Sequence, residues 1–287
     1  MSLAPDSSEA VVGRLRTTAL VALAVLLAAG TTGLVVFLLG GGRLFVIETP
    51  SMATAAPIGS LVVTMPVAWA RLHVGEIITF HPPTDPAETY THRIVQVTAH
   101  GIRTRGDLNG ATDGWVLHAH DIVGRAALIV PGAGWLVEML PWLALGCGLV
   151  WWLTGWIATG EWRLAARHLG VAVTALATLD AFRPLVRVIT LGYSTSAGNE
   201  HVWLVSEGLL PISVRASGGA RMLLPYGQSG VLRVVPNLPH HAFRVAERVT
   251  PPAWVWALVL LAAYAPLLWR ALHPPRLVVL RPVLARA

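Results

Sequence analysis

No lysine occurs in this chain: all 21 Lys-or-Arg positions are arginine. That excludes any mechanism in which a lysine amine acts as a base. Arginine cannot take the role, because its guanidinium stays protonated. Cysteine is nearly as scarce. The single Cys147 excludes an internal disulfide, and its place in an apolar stretch argues against a thiolate nucleophile. Charge is scarce as well: 13% of residues are charged and 54% hydrophobic, a balance of membrane proteins rather than soluble domains. The net charge of +6 comes from arginines at the two ends and in one short loop, which fits anchoring on the cytoplasmic face of a membrane. No aromatic-and-basic repeat of the nucleic-acid-binding kind is present, so no nucleic acid is expected as a partner.

Apolar runs and turn residues divide the chain. Residues 1–16 form a polar N-terminus, expected to be cytoplasmic and disordered over its first thirteen or so positions. Residues 17–39 make an apolar run long enough to cross a hydrocarbon core of about 30 Å. The core of a cleaved secretory signal is typically shorter. Gly40-Gly41-Gly42 ends this first span. Over 43–134 the periodicity changes to short β-branched runs broken by Gly, Pro, Asp and Asn, which predicts an all-β domain. The expected strands are Leu61–Val63, Ile77–Phe80, Ile94–Val97, Ile102–Thr104, Val116–His118 and Ile122–Ile129. A second span is expected at 135–158, with tryptophans towards both ends as interfacial anchors. A cytoplasmic loop follows at 159–168, then a weaker third span at 169–189, interrupted by Asp180, Arg183 and Arg187. Asp180 is expected to pair with Arg183 near the outer interface. Residues 193–250 read as a second small β-domain. A fourth span at 253–269 and an arginine-rich cytoplasmic tail at 270–287 complete a four-crossing membrane protein. Both β-domains then lie outside the cell; if the third run does not cross, the second β-domain falls inside and the arginine-rich tail outside, against the positive-inside bias.

Chemistry-bearing residues concentrate in the first β-domain. Glu48-Thr49-Pro50-Ser51-Met52 follows directly on the first span. Some forty residues on comes Tyr90-Thr91-His92-Arg93-Ile94-Val95, and then Arg105 to Asp113. A serine needs a base to become a nucleophile at neutral pH. With lysine missing, histidine is the natural base left, and carboxylates to orient it lie close in sequence.

In order and spacing these segments resemble type I signal peptidases. The closer likeness is to the serine–histidine branch of the endoplasmic reticulum, archaea and Gram-positive bacteria. The pieces that carry it are Pro50-Ser51-Met52, Gly59 to Val63, Val74 to Phe80, Thr91 to Val95, Gly106 to Asp113 and Asp121 to Arg125. They run from about Arg14 to Trp135, roughly half of the chain. The chain departs from the family's pattern at Ala53-Thr54, where an acidic residue and proline are usual. At Gly75-Glu76 it has Glu where Asp is usual. After about Gly160 nothing matches.

The resemblance implies a membrane-bound serine endopeptidase that cuts signal peptides from exported precursors, its partners being those precursors and membrane lipid. Ser51 would be the nucleophile and His92 the general base. Asp113 is favoured as the group that orients His92, with Asp107 as an auxiliary or structural partner. The Ser51 backbone N–H and the Thr49 hydroxyl would stabilise the oxyanion. Arg93 and Arg105 would balance the acids. Small residues are expected at the first and third positions before the cut, read by shallow apolar pockets involving Ile47, Met52 and Val63. No metal or other cofactor is expected. His118 and His120, two apart on an expected strand, could face one side, but no third ligand is evident. Two other readings stand beside this one. One is a related membrane peptidase with a dedicated set of surface-protein substrates. The other is a non-catalytic membrane scaffold that keeps the fold. The distance between Ser51 and His92 separates catalyst from scaffold.

Overall fold

A long apolar helix leads almost directly into a β-sheet. A computed structural model describes residues 7–158, 160–182, 184–196, 199–216, 221–234, 245–249, 253 and 255–257. Helix α1 runs Ser7–Leu39, so residues 7–13, expected to be disordered, are helical. Extending a helix already nucleated by a long apolar run adds a hydrogen bond for each residue fixed. Its Thr17–Leu39 stretch is long and apolar enough to cross a membrane. The helix ends in the glycine run, where the Gly42 N–H donates to the Phe37 carbonyl at 2.9 Å.

Strand β1 (Arg43–Val46) follows at once. The next strands are β2 (Leu61–Met65), β3 (Ile77–Phe80), β4 (Tyr90–Thr98), β5 (Gly101–Arg105) and β6 (Ile122–Val130). They form one six-stranded antiparallel sheet in the order β1-β2-β6-β3-β4-β5. Val116–His118, expected as a strand, contributes only a single bridge, from Leu117 to Ile102. One face of the sheet buries Ile78, Phe80 and Ile94 with Ile102, Leu117 and Leu72. A second cluster joins Val62 to Ile47, Met52 and Ala56. The buried hydroxyls of Thr64, Thr79 and Thr91 satisfy one another in a chain with contacts of 3.1 and 3.0 Å.

Helix α2 (Ala133–Thr154) leaves the end of β6 and is also long and apolar enough to cross a membrane. Its first turn packs on the β1–β2 connection. Gly59 has φ +79, and a Cβ there would collide with the Trp135 indole. Trp135 is thus buried with Ile58 and Met139 instead of anchoring at a lipid interface. Helix α3 (Gly160–Phe182) packs back along α2. The expected 159–168 loop is therefore helical from 160 onward, because no proline interrupts it. Among the described helices only α1 and α2 are long and apolar enough to cross a membrane. Helix α3, at the place of the expected third span, is not, and it stops at Phe182, two residues before Pro184, which disfavours helix in the residue that precedes it. At the α2–α3 turn, Arg163 donates to the Ile157 carbonyl at 2.8 Å, and the Arg167 guanidinium lies 3.7 Å over the Trp151 ring. Arg163 thereby satisfies a carbonyl just past the end of α2, where cations are favoured. The expected Asp180–Arg183 pair lies outside the described residues, as does most of the 253–269 span and all of the 270–287 tail.

The chain after α3 forms two three-stranded antiparallel sheets. One, in the order β11-β8-β7, joins β7 (Val188–Ser196), β8 (Asn199–Ser206) and β11 (Ser229–Val234). The other, β10-β9-β12, joins β9 (Ile212–Ala216), β10 (Arg221–Leu224) and β12 (Val245–Val249). Alternate residues of β8, β9 and β11 bury a shared core of Val202, Leu204, Ile212, Val214, Leu232 and Val234. The period of two places these side chains inward.

Glu207 sits at the edge of this core and is only 1% exposed. Neither of its carboxylate oxygens has a hydrogen-bond donor in line among the described residues, although Arg187 Nε lies 3.2 Å away. Burial pushes its carboxyl up to about 7, with Arg187 pulling the other way. Below about pH 4.5 both the folded and the unfolded chain hold this proton. Above it the unfolded chain releases the proton first, so stability declines until about pH 7, by on the order of 3 kcal/mol. Glu207→Gln is expected to remove that loss: the variant should melt above wild type at pH 8 and with it at pH 4. A variant that melts lower at pH 8 would show that ionised Glu207 is a net stabiliser through Arg187.

Candidate active site

Ser51 lies in a short 3-10 turn, Pro50–Ala55, that opens with Thr49 in an extended conformation. Proline at the first position suits such a turn, since its missing N–H would have no partner there. Met52 is fully buried with Ile47, Ala56 and Val62 and anchors the turn. Ala53 has φ 46 and ψ −131, the only positive φ at a non-glycine residue among the described residues. Such a conformation costs about 1–3 kcal/mol and is sustained only by the surrounding contacts. The strain falls two residues after Ser51.

His92 reaches Ser51 from β4, one strand in from the β5 edge of the sheet. On β4 it stands opposite Ile78 of β3, on the face that carries Phe80 and Ile94. Phe80 meets its ring edge-on and Tyr90 meets it at a tilt, with centroids 6.1 and 5.8 Å away. These contacts hold the imidazole at 4% exposure. Its Nε2 is 3.1 Å from Ser51 Oγ, and its Nδ1 is 2.8 Å from Asp113 Oδ2. With the ring proton on Nδ1, His92 donates to Asp113 and accepts from the serine hydroxyl. Asp113 is 9% exposed. Its Oδ2 also accepts from the Thr104 hydroxyl at 2.6 Å, and its backbone N–H donates to the Thr104 carbonyl at 2.9 Å. Thr49 Oγ1 completes the line, 3.4 Å from Ser51 Oγ.

Asp107 is placed differently. Its two carboxylate oxygens accept from Arg93 Nε and Nη2 at 2.9 and 2.7 Å. Arg93 also donates to the Gly75 carbonyl at 2.8 Å. These hydrogen bonds to Asp107 raise the guanidinium further above its ordinary value. Period two explains the separation: His92 points inward and Arg93 outward, so each acid meets a different face of β4. Arg93 thus balances Asp107, as expected, whereas among the described residues Arg105 pairs with neither acid, Asp113 being held by His92 and Thr104. Glu76 accepts from Arg125 Nη1 at 2.8 Å and from the His73 N–H at 3.1 Å.

Two contributors are not evident in the sequence. Thr104 braces Asp113; its signal is a polar residue on the inward face of β5, two after Ile102. Gly106 supports Ser51 directly, because a Cβ there would lie 2.9 Å from both the Cβ and the carbonyl oxygen of Ser51. That carbonyl accepts from the Leu108 N–H at 2.8 Å. The tight turn from Gly106 to Asn109 is therefore pressed against the serine.

A cleft of about 520 Å³ opens beside Ser51, lined by residues of β1, by Ile47, Glu48 and Met52, by Thr89 and Tyr90, and by Glu138 of α2. Val63, expected to line a substrate pocket with Ile47 and Met52, is not among its walls. Val63 stands opposite Leu44 within the sheet. Among the described residues no group of three or more His, Cys, Asp or Glu is placed to hold a metal ion. His118 and His120 stack on each other at 5.8 Å, and the His118 N–H donates to Asp121. His81 is engaged by the Glu88 carbonyl at 2.8 Å.

No protein-family model matches the chain, and no curated protein does either.

Proposed function

We propose that the chain is a membrane-bound serine endopeptidase of the signal-peptidase kind, cutting signal peptides from exported precursors. The observation that carries this reading is the hydrogen-bonded line from Ser51 through His92 to Asp113, at 3.1 and 2.8 Å, on the rim of an open cleft. A scaffold has no need of a buried imidazole held between a hydroxyl and a carboxylate, so this geometry favours a catalyst. The strained backbone at Ala53 and the close support from Gly106 are further features of a residue held for a task.

The chemistry follows from the positions. Ser51 Oγ attacks the carbonyl carbon of the scissile bond as its proton passes to His92 Nε2. Asp113 holds the imidazole in the productive tautomer and stabilises the imidazolium that forms. The oxyanion is taken by the Ser51 N–H and the Thr49 hydroxyl, each such donor typically worth about 3 kcal/mol of barrier. The peptide C–N bond breaks, and Nε2 returns its proton to the leaving amine. Water, deprotonated by the same nitrogen, then attacks the acyl-enzyme ester, and Nε2 returns that proton to the departing Ser51 Oγ as the C–O bond breaks.

In this reading the sheet of β1–β6 is a signal-peptidase-like catalytic domain and residues 193–250 are a second extracytoplasmic β-domain. The protein is multi-pass. Helices α1, α2 and α3 and the 253–269 segment cross the membrane, and Arg14, Arg16, Arg163, Arg167 and the tail share the cytoplasmic side. Ser51 follows α1 closely and α2 leaves the same sheet, so the nucleophile is tethered near the membrane surface. There a signal peptide's cleavage site emerges, and tethering raises its effective concentration. Ile47 and the β1 residues lining the cleft supply the apolar wall that accepts small side chains before the cut, with the buried Met52 holding the turn behind it. The experiment is co-expression with a secreted precursor. The wild type should process it, and Ser51→Ala should leave it intact while remaining inserted in the membrane.

A further inference from the structure

A second cleft, about 600 Å³, also meets Ser51. Its walls are Thr49 to Ser51, the Leu108–Ala111 turn and one residue from a distant part of the chain, Leu191 of β7. Leu191 is the extra residue of a β-bulge. Thr190 pairs with Leu204 and Gly192 with Trp203, which leaves Leu191 without a partner on β8. Bulges re-aim side chains and are over-represented beside active sites. Leu191 is 42% exposed and takes no part in the core shared by the two small sheets.

The placement of Leu191 is fixed by contacts between these sheets and the nucleophile's own segment. The Tyr226 hydroxyl donates to the Ile58 carbonyl. A Cβ on Gly227 would lie 2.5 Å from the Pro57 ring and 3.4 Å from the Ala53 carbonyl. Leu209 packs with Ile58 and Trp135 and covers Gly132 at the start of α2.

We infer that the 188–249 sheets complete the active site, with Leu191 as a specificity-determining residue for the part of the substrate that follows the cut. The inference rests on the peptidase reading above. The two clefts share Thr49 and Ser51 and otherwise differ in surroundings. The first is bounded by Glu138 of α2 and by β1, which emerges from α1. A substrate segment arriving from the membrane meets that cleft first and becomes the acyl half. The second cleft is bounded by no residue of the helices that are long and apolar enough to cross. The leaving segment, which belongs to the exported protein, departs through it past Leu191.

Purified full-length wild type, Leu191→Ala and Leu191→Arg would be compared on two precursor series. One varies the first two residues after the cut, the other the first and third before it. Leu191→Ala is expected to lower kcat/KM roughly tenfold for precursors with a bulky apolar residue just after the cut. Leu191→Arg is expected to shift preference there towards acidic residues. The ranking before the cut should not move, and all three proteins should melt alike. Unchanged preference after the cut in both variants would overturn the inference while leaving the peptidase standing, and so would a change confined to positions before the cut. If wild type cleaves neither series, or Ser51→Ala still cleaves, the peptidase reading falls and the inference falls with it.

Discussion

His92→Ala is expected to lower precursor cleavage about a millionfold, and adding Ser51→Ala should lower it no further. Each residue is useless without the other. Ser51 Oγ without an acceptor at 3.1 Å keeps its proton, and His92 without the hydroxyl has no proton to take. The two single variants and the double variant should therefore share one residual rate, measured as single turnovers on a purified precursor. The fold should survive the change, because Asp113 keeps its hydrogen bond from Thr104. A His92→Ala rate within tenfold of wild type would assign the base to another group.

The two acids are expected to respond very differently to the same isosteric change. Asp113→Asn should lower the rate by about ten-thousandfold with little change in melting temperature. An amide N–H facing Nδ1 forces the ring proton onto Nε2, where it blocks transfer from Ser51. Asp107→Asn should cost less than tenfold. It weakens a pair with Arg93 that is part-exposed, and such pairs are worth about 0–1 kcal/mol. Equal losses in the two variants would contradict the division of roles drawn from the geometry.

That division shows what the sequence alone could and could not carry. Asp107 and Asp113 both lie in turn-like sequence, and spacing separates them only weakly. Strand register decides, because it sets His92 on the inward face with Thr104 and leaves Arg93 outward. Ser51 and His92 are legible through ordered motifs, and Asp113 only as the favoured one of two acids, whereas Thr104, Gly106 and Leu191 act through contacts between distant segments. The same contrast holds for the fold. Ile77–Phe80 is read with its observed bounds, since a β-branched run between turn residues leaves little choice. Strand β1 is hidden by its four-residue length directly after the glycines that end α1. Strand β7 begins inside a run expected to be helical to residue 189, and the break comes at Pro184. Glu207 carries no sequence sign of burial. Its burial comes from the fold, which bonds its N–H to the Arg187 carbonyl at 2.8 Å and brings the Arg187 guanidinium beside it.

The most direct test of the central claim uses purified full-length protein in vesicles with one defined precursor and reads product masses. The account predicts a single cut, after a segment with small residues at its first and third positions before the bond, and no product from Ser51→Ala. Cleavage that persists in Ser51→Ala, or an intact precursor with folded wild-type protein, would contradict it.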